Sequence, residues 1–129
     1  MILNLVLEVL PDGILLATVS GHVTLQSAVG RFQEIFSFAA KNNIRKILYN
    51  CLDAAGELST SDRYQLATRV VTYMRSLNMG NPAVALVGKP PLVTGFGLQV
   101  AQNMGALVLI FVDNESALRW LRSPRLNSW

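Results

Sequence analysis

The amino-terminal part of the chain alternates between apolar and polar positions, which is typical of β-strands. The odd positions from Leu3 to Val9 are all leucine or valine, so their side chains share one face of an extended strand. The Pro-Asp-Gly sequence at 11–13 predicts a tight turn, because proline presets its own φ and glycine accepts a positive φ. A second apolar run follows at 14–20. Together these segments predict an antiparallel hairpin.

Helical periodicity begins after the hairpin. Thr24 is a typical N-cap residue, and the apolar residues from 25 to 39 recur with the three- and four-residue spacing of one helical face. The same reasoning predicts three further helices, over 61–79, over 91–104, and from a cap at Asp113 or Asn114 to about Arg122.

Between the helices lie three short apolar runs, at 45–51, 83–87 and 106–112. Nearly continuous apolar runs of this length are typical of parallel strands that are covered on both faces. The whole pattern predicts an α/β domain with a five-stranded, mixed and mainly parallel sheet, an amino-terminal antiparallel hairpin and four helices. We expect one domain over 1–122 and a carboxyl-terminal tail over 123–129.

The composition is that of a folded domain. Of 129 residues, 51% are hydrophobic and 15% are charged, which does not fit a disordered chain. The apolar run at 106–112 is far shorter than the roughly 20 residues of a membrane-spanning helix. No basic residue precedes the amino-terminal apolar stretch, so we expect no signal peptide. Cys51 is the single cysteine, and we expect a cytoplasmic protein without disulfides.

The formal net charge is +3, and the basic residues are scattered along the chain. Their one local excess is Arg119, Arg122 and Arg125, near the end of the last predicted helix. Basic residues there complement the helix dipole, whereas nucleic-acid-binding proteins usually concentrate positive charge in a patch or stripe. We therefore expect no nucleic-acid partner.

Polar residues follow the predicted parallel strands, where ligands and partners of such sheets commonly bind. We expect a recognition edge there. Its predicted members are His22, Thr24, Asp53, Glu57, Asp62, Lys89 and Asp113.

The same edge offers little for catalysis. Cys51 and His22 could form a thiolate pair if they came within hydrogen-bond reach, but a lone cysteine is more often a small buried residue. One histidine and one cysteine are too few for a typical zinc site. The segment 88–91 has the place of a phosphate loop, but its two prolines remove amide donors. We predict no catalytic residue, metal or cofactor.

Three adjacent hydroxyl residues, Ser59, Thr60 and Ser61, open the second predicted helix. Helix capping is one interpretation, because the first N–H groups of a helix lack partners. Phosphorylation is the other, because a phosphate there would add negative charge and alter any surface docked at that end.

The order of elements and the position of this hydroxyl cluster resemble STAS domains (sulfate transporter and anti-sigma-factor antagonist), and more narrowly the stand-alone bacterial antagonist-like branch. The resemblance covers nearly the whole chain. In such antagonists an Asp-Ser-Ser/Thr-Gly motif opens the helix after the third strand, and a partner kinase phosphorylates its first serine. Here the residues at 53–56 are Asp-Ala-Ala-Gly. Counting from the end of the third strand instead places Ser59 near the phosphorylated position, with Leu58 replacing the aspartate.

The resemblance implies a non-catalytic regulatory module that binds another protein, such as a kinase or regulatory factor. The alternative is a protein of the same fold that binds a small apolar molecule or lipid. A deep apolar pocket would favour the alternative, and a filled core with an exposed apolar patch would favour the first. Four apolar residues fall off the predicted buried helix faces and would predict a homodimer if they clustered: Phe38, Leu66, Tyr73 and Leu98.

Overall fold

A computed structural model describes residues 2–124 of the chain. Most of the predicted tail at 123–129, including Arg125, lies outside the described residues. The strands are β1 (Leu3–Val9), β2 (Leu15–His22), β3 (Lys46–Ala55), β4 (Ala83–Val87) and β5 (Leu107–Phe111). The helices are α1 (Leu25–Lys41), α2 (Thr60–Ser76), α3 (Gly95–Asn103) and α4 (Asn114–Leu121).

The five strands form one sheet in the order β1-β2-β3-β4-β5. β1 and β2 pair antiparallel, and every other neighbouring pair is parallel. The predicted fold class is therefore confirmed. None of the helices between residues 2 and 124 combines the length and apolarity needed to cross a membrane.

Each face of the sheet has its own hydrophobic cluster. The larger cluster lies under α1, α2 and α3, and contains Ile35 of α1 and Ile47 of β3, both almost completely buried. The smaller cluster lies under α4, where Leu48 of β3 packs with Ala117 and Leu121. β3 therefore contributes alternate side chains to two separate cores, as the two-residue period of a strand requires.

β3 is longer than the sequence predicted. The apolar run that predicts this strand ends at Cys51, but pairing with β2 continues to the register His22–Ala55. The register shifts between Thr18 and Ser20, and the Asn50 side chain accepts a hydrogen bond from the Leu52 N–H at 2.9 Å. This irregularity lets the strand continue past its apolar run. Asp53 consequently lies on a strand, and the loop is reduced to 56–59.

Two helices are shorter than predicted. α3 was expected to begin at Pro91 but begins at Gly95, because the carbonyl oxygens of Pro91 and Leu92 accept hydrogen bonds from Arg63 at 2.7 Å. Those oxygens would otherwise accept the first bonds within the helix. α2 was expected to reach residue 79 but ends at Ser76, and Asn78 adopts a positive φ of 55°. Positive φ is incompatible with continuing a right-handed helix.

Two predicted helix caps are confirmed. The Thr24 hydroxyl accepts a hydrogen bond from the Ser27 N–H at 3.1 Å, and the Ser27 hydroxyl accepts one from the Thr24 N–H at 2.8 Å. This reciprocal pair fixes the start of α1. Asp113 caps α4 by accepting from the Ser116 N–H at 2.7 Å, and this bond lowers the pKa of the Asp113 carboxyl.

The four apolar residues expected to be exposed on the helices are instead half-buried. Phe38, Leu66, Tyr73 and Leu98 all pack against the larger cluster, and the Tyr73 hydroxyl is hydrogen-bonded to Ser37. The expectation was wrong because α1, α2 and α3 also pack against one another, so their sides are partly covered.

Candidate functional site

The predicted recognition residues lie where the parallel strands end. His22 is the last residue of β2, Asp53 lies near the end of β3, and Glu57 follows in the 56–59 loop. The backbones meet tightly here, since the Val23 N–H donates to Ala55 O at 2.9 Å and the Gly88 N–H donates to Phe111 O at 3.1 Å. The edge therefore combines the ends of β2 to β5 into one surface.

The hydroxyl cluster lies at the start of α2. Ser59 is the N-cap, and its side chain accepts a hydrogen bond from the Asp62 N–H at 3.0 Å. Ser61 accepts from the Gln65 side chain at 3.3 Å. Ser59, Thr60 and Ser61 are all exposed. The capping interpretation thus holds for Ser59, and all three hydroxyls remain open to solvent.

Carboxylates outnumber cations at this edge. Asp53, Glu57 and Asp113 are exposed and Asp62 is half-buried, and we refer to these four residues as the acidic edge. Among residues 2–124 none of the four forms a salt bridge. Lys89, Arg63 and Arg119 are the cations nearby in the fold, and after the Ser116 hydrogen bonds the charge of Arg119 also lowers the pKa of Asp113. The four carboxylates still outnumber these three cations, so this edge carries negative charge although the chain has a net charge of +3.

Arg63 ties the start of α2 to the loop that precedes α3. Its guanidinium donates to Leu58 O at 3.0 Å, to Leu92 O at 2.7 Å and to Pro91 O at 2.7 Å. Hydrogen bonds from a charged donor are stronger than neutral ones, so this residue holds the two segments together. Its guanidinium is therefore occupied by backbone oxygens of the chain itself.

Cys51 and His22 do not form a catalytic pair. The Cys51 thiol is buried and donates to Val87 O at 3.3 Å, and burial raises the pKa of the thiol to about 11. It is therefore protonated at neutral pH. His22 is paired with Ala55, four residues further along β3 and so roughly 13 Å away along the strand. Between residues 2 and 124, no three His, Cys, Asp or Glu side chains are grouped to hold a metal ion.

An apolar cavity of about 150 Å³ lies between the sheet and the helices α1, α2 and α3. It extends from Leu58 and Leu92, at the strand carboxyl ends, down to Pro82 and Ala106. Its walls include Tyr49 and Cys51 of β3, Leu86 of β4, Val70 of α2, and Leu98 and Ala101 of α3. α3 has no fully buried residue, which leaves this side of the cavity thinly covered.

Tyr49 is the largest polar side chain in the buried part of β3. It is 5% exposed, and its ring stacks on Phe32 with centroids 4.3 Å apart and an angle of 13° between the planes. Burial raises the pKa of the phenol above its usual value, so the group stays a protonated donor. Tyr49 and Phe32 both line the cavity.

Comparison with known proteins identifies the type of fold. No protein-family model matches the chain, and no curated protein sequence matches it significantly. Several solved structures are similar, and two of them are anti-sigma factor antagonists. One is an anti-sigma factor antagonist from Mycobacterium paratuberculosis, with a TM-score of 0.62 and 10% identity over 94% of this chain and 95% of that chain. The other is the anti-sigma factor antagonist SpoIIAA in its unphosphorylated form, with a TM-score of 0.55 and 13% identity over 93% and 99%. The chain has a STAS-like fold.

Sequence reasoning did not find two features of this region, the cavity and the role of Arg63. Each had a weak signal. Tyr49 carries a hydroxyl in the middle of a predicted buried strand, and a buried hydroxyl usually has a hydrogen-bond partner. Arg63 stands four residues after the Ser59 cap, on the first turn of a helix, where a cation is unfavourable unless bound elsewhere.

Proposed function

We propose that this chain is a non-catalytic regulatory module of bacterial type that binds a partner protein through the acidic edge. The observation that carries the proposal is the group of four carboxylates without salt bridges among residues 2–124, at one edge of a chain with positive net charge. Unpaired surface charge of one sign steers the approach of a partner of opposite sign. The partner surface is therefore basic.

The likeness to anti-sigma factor antagonists supports a regulatory role. The protonated, buried state of Cys51 argues against nucleophilic catalysis by the single cysteine. A free, buried thiol also fits action in the cytoplasm. In this proposal the partner is a kinase or another regulatory factor.

Site-specific crosslinking tests the docking edge. A photoreactive amino acid placed at Glu57 should capture one defined protein in the cells that express the chain. The same amino acid at Asn42, which is exposed at the far end of α1, should not capture it. Mass spectrometry then identifies the captured protein, and purified components give its affinity. Equal capture at both positions, or none at Glu57, would contradict the proposal.

Charge reversal gives the quantitative test with the purified partner. Asp53→Lys with Glu57→Lys should weaken binding about tenfold or more, because attraction becomes repulsion, and the loss should shrink at high salt. The control pair, Glu8→Lys with Glu34→Lys, changes the net charge equally at exposed positions on β1 and α1. It should leave the affinity nearly unchanged. If both pairs weaken binding alike, net charge rather than the acidic edge determines affinity.

We further propose that the hydroxyl cluster is a phosphorylation site. All three hydroxyls are exposed, and a phosphate at a helix N-terminus interacts favourably with the dipole. Incubation with extract of the native host and ATP should place phosphate on Ser59, Thr60 or Ser61, as measured by peptide mass spectrometry. The triple alanine variant should stay unlabelled. Phosphate found only on other residues of the wild-type chain would exclude the cluster.

The apolar cavity under the helices supports the alternative from the sequence, binding of a small apolar molecule. The cavity and the acidic edge use different residues, so one chain can have both activities.

A further inference from the structure

The cavity is large for a domain of this size. Protein cores pack as densely as organic crystals, and spaces larger than a water molecule are few. This cavity of about 150 Å³ is partly open to solvent, and its floor includes Val84 and Val108 of the sheet, each 7% exposed. A space this large and this apolar is suited to a bound molecule rather than to solvent.

The lining of the cavity includes two hydroxyl side chains, Thr94 and Tyr49, of which Tyr49 is buried. Among residues 2–124, no side-chain hydrogen bond includes the Tyr49 hydroxyl, although the residue is 5% exposed. No buried polar atom that is sealed from solvent in the described part lacks a partner. The hydroxyl is therefore not sealed in the packed interior, and the Tyr49 side chain lines the cavity. Buried tyrosine hydroxyls usually have a hydrogen-bond partner.

The charges around the cavity indicate a neutral ligand. Arg63 is the one charged residue in its lining, and its guanidinium is already bound to three backbone oxygens. A carboxylate or phosphate would enter an apolar space without a free cation, at a large desolvation cost. The rest of the lining is apolar apart from the hydroxyls of Tyr49 and Thr94 and the thiol of Cys51, and it includes the stacked rings of Phe32 and Tyr49.

The size of the cavity limits the ligand to about one ring. A cavity of about 150 Å³ in another protein core accepts benzene, which sets the scale. We propose that this cavity is a binding site for a small, uncharged one-ring compound that carries one hydrogen-bond acceptor, with the Tyr49 O–H as the donor that selects for that acceptor. The site is separate from the acidic edge and does not depend on it.

Two probes of similar size separate the apolar contribution from the hydrogen bond. Acetophenone has a carbonyl acceptor, and ethylbenzene has the same ring and carbon chain without one. Titration followed by NMR shifts of the methyl groups lining the cavity gives both dissociation constants. The wild-type chain should bind acetophenone about three- to tenfold more tightly than Tyr49→Phe does, which is the usual contribution of one hydrogen bond.

Tyr49→Phe removes the hydroxyl and keeps the ring that stacks on Phe32. This variant should bind ethylbenzene as the wild type does, because that probe makes no hydrogen bond. Ala101→Leu is the second control, because it fills the cavity from α3 and leaves Tyr49 unchanged, and it should bind neither probe while its melting temperature is maintained. Asp53→Lys with Glu57→Lys should bind both probes as the wild type does, so that failure of the docking proposal and failure of this one are distinguishable.

Either of two results would overturn the assignment. The first is that neither probe shifts the cavity methyl groups of the wild type, even at the solubility limit of the probe. The second is that Tyr49→Phe binds acetophenone as tightly as the wild type does. If Tyr49→Phe does not fold, the contact between acetophenone and the Tyr49 ring in NOE spectra of the wild type decides the question instead.

Discussion

Replacing Leu48 with alanine is expected to lower the free energy of unfolding by about 2–5 kcal/mol, the range for truncating a fully buried leucine. Leu48 is 0% exposed in the centre of the sheet, and it packs against Ala117 and Leu121 of α4. The truncation would leave a void between the sheet and the single helix on that face. Urea unfolding followed by circular dichroism measures the change.

Leu52→Ala is the matched control on the same strand. Leu52 is 39% exposed, so the same substitution should cost less than about 1 kcal/mol. A domain of this kind is stable by about 5–15 kcal/mol, so the Leu48 variant should lose a large fraction of its stability. Similar losses in the two variants would contradict the described position of β3 between two cores.

Gly56→Ala is expected to destabilise the fold by roughly 1–3 kcal/mol from backbone strain, with a steric contribution in addition. Gly56 adopts a φ of +149°, which side chains rarely allow. An added Cβ would lie 2.7 Å from the backbone oxygen of Val23, closer than real Cβ atoms approach. The segments after β2 and β3 would have to separate, which would also disturb the docking edge.

Gly30→Ala is expected to stabilise the fold. Gly30 lies inside α1, and nothing lies within 4 Å of a Cβ added there. Alanine is a better helix former than glycine, so this variant should gain about 0.5–1 kcal/mol. Urea titrations of both variants measure the loss of stability expected for Gly56→Ala and the gain expected for Gly30→Ala. Stabilisation by Gly56→Ala would mean that the loop is not held in the described conformation.

The architecture could be predicted from sequence because its signals are local. The two-residue period from Leu3 to Val9 and the three- and four-residue period of α1 each report which face is buried. The fourth strand was predicted with its observed bounds, Ala83–Val87. Residue type alone identified the cap Thr24 and limited the cap of the last helix to Asp113 or Asn114, of which the structure has Asp113.

Errors occurred where distant residues decide the local structure. β3 continues past Cys51 because β2 pairs with it across an irregular register, and nothing in residues 52–55 indicates this pairing. α3 begins late because Arg63, about thirty residues earlier, binds the carbonyls of Pro91 and Leu92. Periodicity cannot report such contacts.

The acidic edge and the cavity also differ in whether the sequence could predict them. The acidic edge could be anticipated, because polar residues after parallel strands converge on one side of a sheet. The cavity could not, since it depends on how closely three helices approach the sheet. The hydroxyl of Tyr49, on the apolar face of β3, is the trace of it in the sequence.

The consecutive strand order has a consequence for how the chain is made. Every strand pairs with the strand that directly precedes it, so the sheet can grow in the direction of synthesis, with small sequence separations between partners. The smaller cluster is different, because Leu48 is covered only after Leu121 of α4 has been synthesised. Until that last helix leaves the ribosome, the nascent sheet presents an uncovered apolar face, and this is the stage at which aggregation is the greatest hazard.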